Sequence, residues 1–336
     1  MYSDEDLDYA VKQGVFSPSS VQAFRELQFS IKESSHVDEE NFRLIGGFND
    51  IFIVIACSLF VFSTSWIISF TTASDVLPSI AVAILSWLLA EFFVRKRRMA
   101  LPAIVLLFFF AGGAFQFSSA LIDNLSSHIA VLVGAIATAI LTYLHWLRFR
   151  VPITIAVATA CVFAILAALV IEIFPLLALQ LHFIAFVCGL LCFSFAMYWD
   201  SSDTDRTTHR ADIAFWLHLL SAPLIIHPIF SATGILQGND SIINMLIVLV
   251  LYFIMTVISI TVDRRAFMVS SLAYVIYALS SVIEQYGGIG YSFASTGAFM
   301  GFMLLLLSAY WHKVRLLVVN KLPNKIQLLV PSTQVT

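Results

Sequence analysis

Residues 205–228 read DRTTHRADIAFWLHLLSAPLIIHP. The stretch begins as a charged loop and continues as a long apolar helix. A lipid-facing helix normally carries no ionisable side chain and no residue that removes a backbone hydrogen bond. This one carries His218, His227, Pro223 and Pro228, so it is the part of the chain that most needs a functional or structural explanation.

The composition of the chain is that of a membrane protein. Of the 336 residues, 60% are hydrophobic and 12% are charged, and the mean hydropathy is +0.92. Soluble domains are about 25% charged and about 45–50% apolar. The chain is therefore predicted to have the lipid bilayer as its main partner, and a net charge of −3 gives no reason to expect nucleic acid.

Apolar runs long enough to cross a hydrocarbon core of about 30 Å follow one another from Phe48 onward. The sequence predicts an all-α, polytopic transmembrane helix bundle of about ten spans over residues 46–315, followed by a tail at 316–336. The predicted spans are 48–70, 77–94, 101–119, 128–147, 151–173, 176–199, 212–235, 241–262, 266–284 and 291–312.

The distribution of charge predicts the orientation of these spans. With ten spans, every lysine and arginine falls on one side of the membrane, while the other side carries acids and no lysine or arginine. By the positive-inside rule, both termini and the tail are expected in the cytoplasm. The basic residues lie in the N-terminal segment, at 95–98, 148–150, 206–210 and 264–265, and from Lys313 to Lys325.

Ten spans also divide into two halves of five. An odd number of spans in each half inverts the second half relative to the first, which is the geometry of inverted-repeat transporters. No residue-by-residue repeat accompanies the division, so the repeat is an interpretation of the span count alone.

Residues 1–45 are the sizeable polar segment of the chain, with nine acidic and four basic residues. Gly14 is expected to end a first short helix, and Ser17 followed by Pro18 is typical of a helix start. We predict a small cytoplasmic helical hairpin with an acidic linker. It either docks a protein partner or lies as a cap against the membrane domain.

Three histidines lie deep within the predicted spans, His182 in span six and His218 and His227 in span seven. They are candidates for contacting a solute or coupling its movement to protons. Nine residues separate the last two, or about 900° of helix rotation, so an undisturbed helix puts them on opposite faces. Pro223 and Pro228 are candidate helix breaks. The alternative is a kinked helix whose imidazoles bond to neighbouring helices.

Arg206, Arg210 and Asp212 surround the start of span seven. They are candidates for a cytoplasmic gate or, alternatively, belong to an ordinary helix start. Arg210 and Asp212 are two residues apart and therefore do not face each other on a helix.

No catalytic motif stands out. HExxH, GxSxG and a Walker A loop are all missing from the sequence, so no enzyme is predicted. The four cysteines lie in apolar stretches and are expected to be buried thiols rather than metal ligands. No metal or cofactor is predicted. Haem held by His182 with His218 or His227 remains an alternative.

The N-terminal residues 7–18 follow the pattern LxxAVxxGVFSP, ahead of an amphipathic helix and a first span. This pattern resembles a family of bacterial inner-membrane proteins that begin with a short cytoplasmic helical pair and continue as many spans. The likeness covers roughly the first 70 residues. It implies a bacterial cytoplasmic membrane and no particular activity.

The sequence is compatible with two functions. The first is a secondary transporter or permease for a small solute, with its site around spans six and seven. The second is a non-transporting scaffold, assembly factor or sensor that binds a partner through the N-terminal hairpin. A transporter predicts a polar cavity beside a broken span, while a scaffold predicts solid packing and an exposed apolar patch on the hairpin.

Overall fold

The computed structural model describes residues 11–24, 48–72, 74, 76–122, 127–204, 206, 208–234, 242–285, 292–327 and 329–331. Over these ranges the regular structure is helical and no strand occurs. The chain divides into two compact units. One consists of Met1–Asn41 with Thr333–Thr336, and the other is Phe42–Ser332.

In the smaller unit, the predicted helix start is confirmed. The helix begins at Pro18, and the Ser17 hydroxyl accepts a hydrogen bond from the backbone N–H of Ser20 at 3.1 Å. Val21 is buried, whereas Val15, Phe16 and Phe24 are 69%, 49% and 43% exposed. The preceding helix ends at Lys12 and is followed by Gly14 at φ 71°, as predicted for its end. Residues 1–10 and 25–45, which include the acidic linker, lie outside the described residues.

The larger unit is a bundle of helices joined by short connections. The helices are α1 (Phe48–Thr72), α2 (Val76–Ala90, continued by a π-helical turn at Glu91–Lys96), α3 (Ala100–Ala120), α4 (Ser127–Phe149), α5 (Ile153–Ile173), α6 (Leu181–Ser201, preceded by a 3-10 helix at Pro175–Gln180), α7 (His209–Ala232), α8 (Ile242–Val262), α9 (Ala266–Gln285), α10 (Ser292–Ala309), α11 (Trp311–Val319) and α12 (Asn324–Gln327).

Eight of the described helices, α1 to α8, are long and apolar enough to cross a membrane. Helices α10 and α11 are bent by 72° relative to each other, and they add a ninth span if the pair counts as one. The apolar part of α9, Ala266–Ser281, is shorter than the eight spans. The prediction of an all-helical, multi-pass membrane bundle is confirmed for the part of the chain that the structure describes. The predicted count of ten is not confirmed by length and composition.

The helix ends next to the basic loops pack against one another. Ala103 of α3 and Val151 before α5 belong to one buried cluster, and Val94 of the π-helical turn after α2 and Trp216 of α7 pack against it. Trp216 also packs against a second cluster that includes Ala196 of α6. We call this the basic end of the bundle, because the loops at 95–98, 148–150 and 206–210 leave from it.

Helix α7 is the most enclosed of the eight long helices. In its most apolar stretch 56% of the residues are buried, against 11% in α1. Ala222, Ile226 and Phe230 of α7 form a core with residues of α8, α9 and α10. This enclosure explains why polar side chains on α7 contact several other helices.

Of the two alternatives for this helix, the structure shows the continuous one. Helix α7 continues from His209 to Ala232 through both Pro223 and Pro228. Prolines are tolerated in membrane helices where neighbouring helices and hydroxyl side chains satisfy the backbone groups they disturb. The Ser221 hydroxyl donates to the carbonyl of His218 at 3.0 Å, one residue before the Leu219 carbonyl that Pro223 leaves without its helical donor.

Helices α6 and α7 approach each other closely at Gly189. A Cβ atom at this position would lie 2.8 Å from the Ile225 side chain and 2.9 Å from the backbone of Leu224. The absence of a side chain therefore sets the separation of the two helices that carry the polar residues described below.

Replacing Gly189 by alanine is expected to force α6 and α7 apart. Overpacking of this kind costs about 1–3 kcal/mol, so the melting temperature of the purified protein in detergent should fall. Gly112→Ala is the matched control, because its Cβ meets nothing within 4 Å. Equal melting temperatures for the two variants would contradict the proposed close contact.

Candidate functional site

A buried ion pair lies at the basic end, between the last turn of α6 and the α8–α9 connection. Asp200 is 0% exposed and Arg264 is 2% exposed. The Arg264 Nη2 atom donates to Asp200 Oδ1 at 2.6 Å. The other carboxylate oxygen, Oδ2, lies 2.9 Å from Nε2 of His218 on α7. One carboxylate therefore links three parts of the chain.

Arg264 is held by further bonds around this carboxylate. Its Nη2 atom also donates to the backbone carbonyl of Ala211, at the start of α7, at 3.1 Å. The Ser259 hydroxyl of α8 donates a hydrogen bond to the backbone carbonyl of Arg264. The guanidinium therefore reaches α6 and α7 from a loop whose own backbone is anchored to α8.

His218 is enclosed by aromatic side chains and meets Asp200 through one ring nitrogen. The imidazole is fully buried and packs against Phe193 and Phe267, with ring centroids 5.5 and 6.3 Å away. Its Nδ1 atom has no hydrogen-bond partner among the described residues. A proton on Nε2 makes the bond to Asp200, while a second proton on Nδ1 would bury a donor without an acceptor.

A second carboxylate, Asp263, extends the cluster. Arg206 Nη1 lies 3.1 Å from its Oδ2 atom. The indole N–H of Trp311 donates to its Oδ1 atom at 2.8 Å, and Arg315 Nε lies 3.4 Å from the same oxygen. Arg315 Nη2 donates in turn to the carbonyl of Pro331 at 2.6 Å. The start of α11 and the chain after α12 thus join the cluster.

Two members of this cluster adopt a left-handed backbone conformation. Arg206 has φ 53° and Asp263 has φ 61°, a region that costs about 1–2 kcal/mol for a residue with a side chain. Arg206 Nη2 also donates to the carbonyl of Asp263 at 3.1 Å. The ion pair and this bond offset the strain in both loops.

The buried charges balance. Asp203 is a third buried carboxylate: it accepts hydrogen bonds from the backbone N–H and the hydroxyl of Thr208 at 3.0 and 2.6 Å, and its carbonyl accepts from the N–H of Arg206 at 3.1 Å. With it, the cluster contains three carboxylates and three guanidinium groups. Burial and the nearby Arg264 lower the pKa of Arg206 to about 10, which leaves it cationic at neutral pH. We call the set the buried charge network: Asp200, Asp203, Arg206, His218, Asp263, Arg264 and Arg315.

The predicted gate residues do not all meet. Arg206 belongs to the buried charge network, but Arg210 is exposed. Asp212 lies 3.4 Å from Nδ1 of the exposed His209, on the surface of the first turn of α7. The three residues that surround the start of span seven are thus divided between the network and the protein surface.

The other two candidate histidines form a separate group near the far end of α7. His227 Nδ1 and the Tyr274 hydroxyl of α9 are 2.6 Å apart. The ring of His182, at the start of α6, lies 5.4 Å from that of His227, and both histidines are exposed. We call these three residues the distal cluster. His218 and His227 thus occupy different sites, as a continuous helix requires.

Sequence reasoning missed most of the buried charge network. Asp200, Asp263, Arg264 and Arg315 lie next to span ends, where charged loop residues are ordinary. The sequence contains one indication of the network. Asp200 and Asp263 are acidic residues on the side of the predicted membrane where the lysines and arginines lie. Which arginine each acid meets depends on contacts between distant parts of the chain.

No group of three or more metal-binding side chains occurs among the described residues. Cys188 and Cys192 are buried, and Cys192 Sγ donates to the carbonyl of Leu217 at 3.4 Å. The structure brings His182 beside His227 and not beside His218.

Comparison of the chain with protein-family models, with curated proteins and with solved structures found no match.

The central ion pair is tested by amide replacements. Removing one partner of a buried pair costs about 3–5 kcal/mol, because the other charge stays buried. We expect Asp200→Asn and Arg264→Gln each to destabilise the protein in denaturant titrations. The double variant should cost about 1–3 kcal/mol less than the sum.

Glu91→Gln is the matched control for an acid-to-amide change. Glu91 lies 2.6 Å from Arg148 and 3.3 Å from Arg95, in ion pairs that reach solvent. It should therefore be tolerated better than Asp200→Asn. Strict additivity of the Asp200 and Arg264 variants would contradict a direct interaction.

Proposed function

We propose that the chain is a secondary transporter or permease for a small solute in the bacterial cytoplasmic membrane, and that the buried charge network is its cytoplasmic gate. The observation that carries the proposal is the Asp200–His218–Arg264 contact, which ties together α6, α7 and the α8–α9 connection. Ionisable groups inside membrane helices are functional candidates by default.

Stability alone does not account for such a network. A buried ion pair is often no more stabilising than apolar residues of the same size, because both charges lose their hydration. A contact between charges has another property, since it can be exchanged for hydration when water enters. A gate between helix ends requires two states of this kind: paired and dry, or separated and hydrated.

The proposal includes a topology of ten spans. The chain leaves the basic end at α9, and Trp311 returns to it by bonding to Asp263. Helices α9 and α10 therefore make an outward and a return passage, and we infer that both cross the membrane. All lysines and arginines then lie on one side, which we infer to be cytoplasmic, and the halves of five spans fit an inverted repeat.

The distal cluster is the proposed point of contact for the solute or for protons. His182 and His227 are exposed, whereas the network at the other end of α7 is buried. In the proposal, this combination corresponds to a state that is closed at the buried charge network, with the two histidines at the protein surface near the opposite end of α7. His218 is assigned to the gate, where a change of its protonation alters the charge balance around Asp200.

The gate is tested by the accessibility of Cys192, which needs no knowledge of the solute. Cys192 is buried and lies eight residues before Asp200 on α6, about 12 Å deeper in the bundle. In a protein that retains only Cys57 and Cys192, Asp200→Asn is expected to open a water path. A membrane-impermeant thiol reagent added at the cytoplasmic face should then label Cys192.

Cys57 controls for unfolding, because it is buried in a separate cluster with Ala90 and Leu106. Labelling of both cysteines would indicate a misfolded variant, in which case Asp200→Asn combined with Arg264→Gln is used instead. If Cys192 stays unlabelled in folded variants, the gate proposal is wrong. A solidly packed scaffold predicts that result.

A second function is favoured by the smaller unit. Val15 and Phe16, just before the helix that begins at Pro18, and Phe24 within that helix expose apolar surface. Exposed apolar side chains that lie together are typical of contact surfaces. We propose, as the alternative to transport, that this unit docks a protein partner.

The alternative predicts that Phe16→Ser combined with Phe24→Ser removes a specific cross-linked complex from native membranes. Ser19→Ala, an exposed change outside the apolar patch, should leave the complex in place. Indistinguishable cross-linking patterns for the wild type and the double variant would rule out docking through this surface.

A further inference from the structure

A groove with a volume of about 340 Å³ lies between α2, α3 and α4. Its walls are aliphatic and aromatic, and the groove is open along one side. The residues that matter below are Ile80, Ile84, Trp87, Leu88, Phe110 and Phe117. A groove of this size and chemistry, in a helix bundle with apolar surroundings, accommodates a hydrocarbon chain.

Helix α2 continues from this groove directly into a run of four basic residues, Arg95-Lys96-Arg97-Arg98. The run includes the end of the π-helical turn at Glu91–Lys96 and closes with Arg98 at φ 53°. All four residues are exposed. Departures from α-helix such as this turn are frequent at functional sites.

Most of this positive charge is not neutralised by the protein. Arg95 is paired with Glu91 at 3.3 Å, and the same carboxylate also binds Arg148. Lys96 and Arg97 stand over the ring of Phe92, at 5.9 and 5.8 Å from its centroid. No carboxylate of the described residues pairs with Lys96, Arg97 or Arg98.

We infer that this surface binds an anionic phospholipid, with one acyl chain in the α2–α3–α4 groove and the phosphate at Lys96, Arg97 and Arg98. Clusters of basic residues next to a membrane helix attract anionic headgroups, and the adjoining groove supplies the place for the chain. The inference stands apart from the proposed transport function and does not depend on it.

The dimensions of the two parts match. Ile84 and Leu88 precede Arg95 by eleven and seven residues, or about 16 and 10 Å along a helix. Half of a hydrocarbon core of about 30 Å is about 15 Å. A lipid whose phosphate is at the basic run therefore places its acyl chain against the nearer wall of the groove, at Leu88, Trp87 and Ile84.

Trp87 reports the occupancy of the groove, because bromine atoms on an acyl chain quench tryptophan fluorescence on contact. The full-length protein is reconstituted in phosphatidylcholine vesicles that contain either brominated phosphatidylglycerol or brominated phosphatidylcholine. The Trp87 signal is the difference between the wild type and Trp87→Phe. We expect brominated phosphatidylglycerol to quench this signal at about fivefold lower mole fraction.

Trp66 of α1 supplies an internal control, since it is 77% exposed on a different helix. Its signal, obtained with Trp66→Phe, should be quenched alike by both brominated lipids. Replacing Lys96, Arg97 and Arg98 together by glutamine should remove the preference at Trp87. All three side chains are exposed, so the variant is expected to fold.

Lys313→Gln combined with Lys321→Gln is the matched charge control, because both lysines are exposed in a different basic stretch. This pair should leave the preference at Trp87 unchanged. Equal quenching of Trp87 by the two lipids overturns the inference. So does a preference that survives the triple glutamine variant, or one that falls equally in the lysine control.

Discussion

The structure depends on one electrostatic constraint, that the carboxylate of Asp200 is buried within a membrane bundle and must be paired. Arg264 and His218 meet that requirement from different helices and loops. Charged groups cannot be left unpaired in a medium of low dielectric constant. The ends of α6, α7 and α8 are therefore held in one arrangement as long as the charges stay dry.

The same constraint explains the irregular backbone around the basic end. Arg206 and Asp263 hold left-handed conformations while their side chains pair with each other. Trp311 and Arg315 bring α11 onto the same carboxylate, and α11 leaves α10 at an angle of 72°. The strained loop conformations and the bend between α10 and α11 thus occur where side chains pair with Asp263.

The continuity of α7 places its two histidines in separate sites. Because Pro223 and Pro228 do not interrupt the helix, His218 and His227 remain about half a turn apart in direction and face different neighbours. One is enclosed by the charge network and the other is exposed beside His182 and Tyr274. A single helix therefore connects an enclosed polar site with an exposed one.

The sequence by itself determined the helical membrane character of the chain, because hydropathy and the spacing of basic clusters are local properties. It also indicated the start of the helix at Ser17–Pro18 and the separate positions of the α7 histidines. Only the tertiary structure decided that Asp200 meets Arg264, 64 positions later, and that the prolines leave α7 intact. Both depend on which helices become neighbours, and side-chain pairing across such distances leaves no periodic signal in the sequence.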